Sequence, residues 1–226
     1  MPEMVPPGAA LFDFDRDGDL DLYLVNSGAM DDRGQPVADS AVANRLYRQA
    51  DDGRFEDVSV ASGLADTGYG MGVAIGDINN DGYPDVYLSN LGPDRLFLNQ
   101  RDGTFRDITT AAGIDNASWS TSVAMFDLDR DGWLDLYVTN YVDYRADTKC
   151  PDNSGRADYC GPQVFDGQLP LPPVLVEGVV EQASRRDVLP ESVYQLLVHG
   201  VSSLIHIRRS GRRRPGLTLE LPQKPE

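Results

Sequence analysis

The sequence predicts an all-β protein, a partial β-propeller of about two and a half four-stranded blades that belongs to a larger propeller. Three observations predict it. Residues 44–93 align with residues 94–143 without a gap, at a period of 50 and with 16 identical positions. Within each copy the apolar residues alternate at period two, the spacing of strands rather than helices. Each copy also holds about four strand-like runs between turn signals, the strand count of a propeller blade.

The elements follow in chain order. A first strand is expected at Ala9–Phe12 and a second at Leu20–Val25, where Leu20, Leu22 and Leu24 alternate with Tyr23 and Val25. This half-copy, residues 8–26, is displaced by 64 positions from the next, and the 14 extra residues make Ser27–Ala43 a loop insertion. Arg45–Arg48 and Arg54–Val58 then flank Asp52-Gly53, as Arg95–Leu98 and Thr104–Ile108 flank Asp102-Gly103. Asp-Gly between two such runs signals a hairpin, because both residues tolerate positive φ. Val73–Gly76 and Val123–Phe126 supply the first strands of the later copies. Val86 and Leu88 opposite Tyr87, and Leu134, Leu136 and Val138 opposite Tyr137, supply the second. The repeat units lie near 8–43, 44–93 and 94–143, followed by a loop at 141–167.

Three segments joining first and second strands share the pattern D-x-[DN]-x-D-G-x-x-D. The first carries Asp13, Asp15, Asp17, Gly18 and Asp21. The second carries Asp77, Asn79, Asp81, Gly82 and Asp85, and the third Asp127, Asp129, Asp131, Gly132 and Asp135. Alternate side chains at positions 1, 3 and 5 of a tight loop aim oxygens at one point, and glycine at position 6 permits the sharp turn. The position 7 carbonyl (Asp19, Tyr83, Trp133) and the position 9 carboxylate add further oxygens. Such an all-oxygen set suits Ca²⁺, which takes six to eight oxygens at about 2.3–2.6 Å in flexible geometry. Mg²⁺ demands a stricter octahedron, and softer metals want Cys or His. Without a cation, three or four carboxylates crowd one loop at Coulombic cost. About three calcium sites are therefore expected, the middle one weakest because Asn79 removes a charge. An EF-hand is rejected: it needs a Glu at position 12 between helices, and here that position is Leu24, Leu88 or Val138 between strands.

Composition narrows the function. The 226 residues carry a formal net charge of -16, which disfavours a nucleic-acid partner. No apolar run is long enough to span a bilayer as a helix, and Met1–Ala10 lacks the basic start and apolar core of a signal peptide. The acidic motifs stop near Gly167: residues 1–167 carry a net -18 and residues 168–226 a net +2. The chain therefore divides into a repeat region, 1–167, and a non-repeat tail, 168–226. The tail offers a weak helical pattern over Pro190–Arg209 and a basic cluster, Arg208, Arg209, Arg212, Arg213 and Arg214. It is expected to be disordered or aberrant, the end of a fragment. The two histidines, His199 and His206, both lie in the tail, so the repeats hold no Ser-His or Cys-His pair for nucleophilic catalysis. Paired carboxylates suit glycoside hydrolysis, but the loop spacing assigns them to a metal. Cys150 and Cys160 stand ten positions apart, flanking a loop-like stretch, and are either a disulfide or two free thiols. Asn116-Ala-Ser118 is a glycosylation acceptor pattern.

Residues 5–167 resemble the FG-GAP/VCBS repeat family, whose calcium loops are similar to those of the integrin α-chain propeller. Gly70-Met-Gly72-Val-Ala-Ile-Gly76-Asp77 resembles the FG-GAP segment leading into its loop. Asn-Arg-Leu-Tyr (44–47), Asp-Gly-Arg-Phe-Glu-Asp-Val (52–58) and Ala-Ser-Gly-Leu (61–64) resemble the secreted bacterial ASPIC/UnbV, cartilage-acidic-protein-like group. The resemblance implies an extracellular or periplasmic, calcium-stabilised, non-catalytic scaffold that binds protein or polysaccharide. It makes each residue at positions 1, 3, 5 and 9 a calcium ligand and favours the Cys150–Cys160 disulfide. The alternative is a segment of a carbohydrate-active propeller enzyme, a polysaccharide lyase or hydrolase.

Overall fold

The computed structural model describes residues 6–32, 34–37, 42–128, 130–142, 144–148, 150–151, 157–158, 160 and 202–205. Among the described residues it is all-β apart from short helical turns. The first sheet runs β1 (Ala9–Phe12), β2 (Asp21–Leu24), β3 (Arg45–Gln49) and β4 (Phe55–Asp57), each antiparallel to the next. The second repeats that order with β5 (Tyr69–Gly76), β6 (Asp85–Leu91), β7 (Arg95–Asn99) and β8 (Phe105–Asp107). These are two complete four-stranded blades, in the places the repeat predicts.

The third sheet pairs β9 (Ser120–Phe126) with β10 (Asp135–Asn140). Two short strands follow, β11 (Cys150–Pro151) and β12 (Ala157–Asp158), paired with each other. The Cys150–Cys160 disulfide is formed, with an S–S distance of 2.05 Å. The other side of β10 is taken by β13 (Ser202–Ile205), antiparallel, with Leu136 opposite Ile205 and Thr139 opposite Ser202. This corrects the helical pattern over Pro190–Arg209 at these four residues, since the weak apolar stripe offers little to hold a helix while the free edge of β10 offers a ladder of backbone partners. The rest of that stretch, the basic cluster and the boundary at Gly167 lie outside the described residues. No helix among the described residues is long and apolar enough to cross a membrane.

Two local features escaped the sequence. Ser59–Ser62 forms a helical turn, α1, stopped by Gly63 at φ 81°. The same Gly-ended turn recurs as Ala112 N–H to Ile108 O and Gly113 N–H to Thr110 O. The first hairpin spans 50–54: Gly53 N–H bonds Ala50 O, Ala50 N–H bonds Arg54 O, and only Gly53 takes positive φ. That is a three-residue loop ending in a left-handed glycine, not a two-residue turn with both residues at positive φ.

The faces of equivalent strands explain the core. Tyr23 of β2 is fully buried and packs with Val86 and Leu88 of β6 in one cluster, with Phe12, Phe14, Leu46 and Phe97. Tyr87, the equivalent of Tyr23, leaves the opposite face of β6 and packs with Leu136 and Val138 of β10, beside Leu96, Leu98 and Ile108. The middle sheet is thus buried on both faces, and every residue of β6 is buried. The first sheet turns Leu11 outward, 62% exposed, and the third turns Phe126 outward, 39% exposed. Stacking against a neighbour, not side-chain type, decides which half of each alternating strand is core.

Close approach between blades imposes a glycine. A Cβ on Gly70 would lie 2.3 Å from Val25 Cγ1 and 2.9 Å from Asn26 O. One repeat later Ser120 occupies this position, and its hydroxyl joins a buried polar seam. There the Asp94 carboxylate accepts from Tyr87 Oη at 2.8 Å, Asn116 Nδ2 at 2.7 Å, Ser120 Oγ at 2.9 Å and Asn90 N–H at 2.8 Å. Asn116 is only 1% exposed, so its acceptor pattern serves the seam and offers no surface amide for a glycan. Burial pushes the Asp94 carboxyl up to about 7, against the pull of its four donors.

Gly70→Ala is expected to cost about 1–3 kcal/mol through overpacking, about 2–4 °C of melting temperature per kcal/mol for a chain of this size. The Asp94 shift sets a pH trend. The unfolded carboxyl ionises near pH 4, while the folded one keeps its proton to about 7. The folded state binds more protons across that window, so its stability falls as pH rises through it. Melting temperature measured from pH 5 to pH 8 should decline, and less steeply in Asp94→Asn.

Candidate metal centre

The three acidic segments fold alike, each joining the first two strands of its sheet. Position 4 is left-handed in all three, Arg16 at φ 66°, Asn80 at 56° and Arg130 at 61°, and the position 6 glycines lie at 100°, 91° and 88°. The first carboxylate accepts from the position 6 N–H: Asp13 from Gly18 at 3.2 Å, Asp77 from Gly82 at 2.7 Å, Asp127 from Gly132 at 2.9 Å. The position 5 carboxylate accepts from the position 7 N–H at 2.9 Å in every loop, Asp17 from Asp19, Asp81 from Tyr83 and Asp131 from Trp133.

Position 9 is a structural anchor as well as a carboxylate. Asp21, Asp85 and Asp135 are at most 1% exposed. Asp21 accepts from Phe14 N–H at 3.0 Å and Gln49 N–H at 2.9 Å. Asp85 accepts from Ile78 N–H at 3.0 Å and Asn99 N–H at 2.8 Å, and Asp135 from Leu128 N–H at 2.8 Å. Each fastens its loop to the strands, the first two reaching the third strand of the sheet. Sequence reasoning missed this role; the available signal was that Gln49 and Asn99 are equivalent by the 50-residue period.

The loops are also tied to their neighbours. Asn99 Nδ2 donates to Phe14 O of the first loop at 2.8 Å, and Asn80 Nδ2 of the second donates to Gly132 O of the third at 2.9 Å.

The first loop brings Asp13, Asp15 and Asp21 together, one oxygen of each lying within 4.8 Å of the others. Asp17 stays outside this triad and exposed. Asp13 Oδ1 and Asp15 Oδ1 are buried and have no hydrogen-bond partner, which is costly for carboxylate oxygens. Burial, reinforced by the Asp17 charge, raises the Asp15 pKa, and burial raises that of Asp21 against its two backbone donors. A hard cation among these oxygens supplies what both orphaned atoms lack and reverses the repulsion, so the donor set fits Ca²⁺. In the second loop Asp77, Asp81 and Asp85 are not drawn together to that distance. Burial pushes the Asp85 carboxyl up to about 7, opposed by the Asn99 and Ile78 N–H groups. Asp129, the expected position 3 ligand of the third loop, lies outside the described residues.

The profile of a family described as the FG-GAP-like repeat matches residues 13–88 and 77–138, together more than half of the chain. The chain belongs to the FG-GAP-like repeat family. No curated protein matches it. The two FG-GAP-like matches together span all three acidic loops, so loops and blades are one repeating unit, with the loop as its first turn.

Asp85→Ala should destabilise the protein even in the presence of chelator, by about 2–5 kcal/mol, because two backbone N–H groups lose their buried acceptor. Asp17→Ala, at an exposed position, should change little under the same conditions. Denaturant unfolding of both variants in excess chelator checks the contrast.

Proposed function

We propose that this FG-GAP-like repeat protein is a calcium-binding, non-catalytic extracellular scaffold for protein or carbohydrate binding, akin to the ASPIC/UnbV group. The observation that carries the calcium reading is the pair of buried, partnerless oxygens on Asp13 and Asp15, converging with Asp21 in a loop that the chain repeats three times. In this reading Asp13, Asp15, Asp17 and Asp21 hold the first ion with the Asp19 carbonyl. Asp77, Asn79, Asp81 and Asp85 hold the second with the Tyr83 carbonyl. Asp127, Asp129, Asp131 and Asp135 hold the third with the Trp133 carbonyl. The ion supplies positive charge to a crowded carboxylate turn, and because only the folded loop binds it, it stabilises the blade. The Cys150–Cys160 disulfide supports an oxidising compartment.

A partner would meet the Ser27–Ala43 insertion. Gln35, Pro36 and Val37 of that insertion line a cleft of about 370 Å³ with Asp66, Asn90 and Arg95. Tyr144 Oη donates to Gly34 O at 2.9 Å and holds the insertion down. The cleft joins apolar walls to a few polar groups, the usual make-up of a ligand site.

Thermal melting in calcium, in chelator and in magnesium tests the metal reading. Calcium at about one hundred times its Kd should add roughly 2.7 kcal/mol per site, a rise of several degrees that magnesium does not match. Asp15→Ala, Asp81→Ala and Asp131→Ala should each remove one step of it. A folded protein whose melting ignores calcium would sink the reading.

A further inference from the structure

The second loop differs from the first in how its charge is met. Each of its carboxylate oxygens already accepts a hydrogen bond. Asp77 accepts from Asp81 N–H and Gly82 N–H, and Asp85 from Ile78 N–H and Asn99 N–H. Asp81 Oδ1 accepts from Tyr83 N–H, and Asp81 Oδ2 from Asn79 Nδ2 at 2.9 Å and Arg101 Nε at 3.0 Å. In the first loop, by contrast, Asp13 Oδ1 and Asp15 Oδ1 have no such partner.

Arg101 comes from the hairpin between β7 and β8, and two facts mark it as a departure from the repeat. One period earlier the same position is Asp51, an acid in place of a base. The Arg101 backbone is also left-handed, at φ 66°, whereas Asp51 is not among the positive-φ residues. Few arginines adopt that conformation. Here the Asn99 side chain receives Arg101 N–H at 2.8 Å and holds the turn. Arg101 remains 41% exposed while Asp81 is 8% exposed, so the guanidinium reaches the loop from its solvent side. The formal charge of the four liganding side chains is -4 in the first loop. In the second it is -3, and -2 once Arg101 is included, whereas Arg48, which acts on Asp15 and Asp17 of the first loop through space, gives its hydrogen bond to Glu56.

We propose that Arg101 is a resident counter-cation of the second loop, one that Ca²⁺ must displace or bind beside. The first and second loops then fill at well-separated calcium concentrations. The proposal rests on the calcium reading above and adds to it a graded response: a first site filled at low calcium, and a second that answers only to higher concentrations. Ca²⁺ entering the second loop meets a like charge on an exposed, water-screened guanidinium, and at about 6 Å and water's dielectric that repulsion lowers affinity about tenfold.

The test is calorimetric titration of the full chain with Ca²⁺, comparing wild type, Arg101→Ala, Arg101→Lys and Asp77→Asn. Wild type should show at least two affinity classes, the weaker reduced in amplitude by Asp77→Asn. Arg101→Ala should tighten that class about tenfold and leave the tighter class unmoved, while Arg101→Lys keeps the wild-type isotherm. Arg101 is exposed, so the alanine variant retains the fold, checked by its melting in chelator. Calcium uptake by a folded Arg101→Ala variant with an unchanged or weakened second class would overturn the counter-cation alone. No calcium uptake by wild type would overturn both it and the calcium reading.

Discussion

Placing three or four carboxylates within nine residues is the constraint on which each blade depends. The repulsion is met in layers. The ninth residue is buried and spends its oxygens on backbone N–H groups, two of them for Asp21 and for Asp85, binding the loop to its own sheet. The first residue turns one oxygen onto N–H groups of the turn in the first loop and both in the second and third, and the fifth residue turns one in each. What remains differs between loops: orphaned buried oxygens in the first, an arginine in the second. Nearly identical backbones therefore present different electrostatic environments, and side chains outside the nine-residue pattern make the difference.

The same layering holds the blades together. The apolar clusters on either side of the middle sheet supply most of the burial, but they are non-directional. Direction comes from the polar seam around Asp94, where four donors converge from the second sheet, the connector and the third sheet. In the first repeat the equivalent residue is Asn44, whose Oδ1 accepts Asn26 N–H at 2.7 Å. Gly70 lies against that pair without a side chain. One seam is built on an amide and tightly apposed, the other on an ionisable carboxyl and hydroxyl-lined, so the two blade junctions are built on different chemistry.

Much of this was legible in the sequence. The 50-residue period, the alternation and the loop pattern place β1 to β10 and the acidic turns close to where they are, because these signals are local and repeated. The other features depend on partners the pattern cannot name. Which of Tyr23, Tyr87 and Tyr137 is core depends on whether a sheet lies on that side. Ser202–Ile205 becomes a strand only because β10 has an edge to pair with. The anchoring role of Asp21 and Asp85 is set by N–H groups 28 and 14 residues away. The reach of Arg101 to Asp81, 20 residues apart, follows from an unusual backbone angle that no spacing rule encodes.

The alternation of faces has a consequence for how such a chain changes over generations. Val86 and Leu88 meet the preceding blade and Tyr87 meets the following one, so every unit carries one surface for each neighbour. A whole 50-residue unit gained or lost by unequal recombination presents its new neighbours with the same pair of surfaces. Copy number is then set in whole units and by whether the polar seams at each junction match, while changes within a unit are held in place on two sides at once.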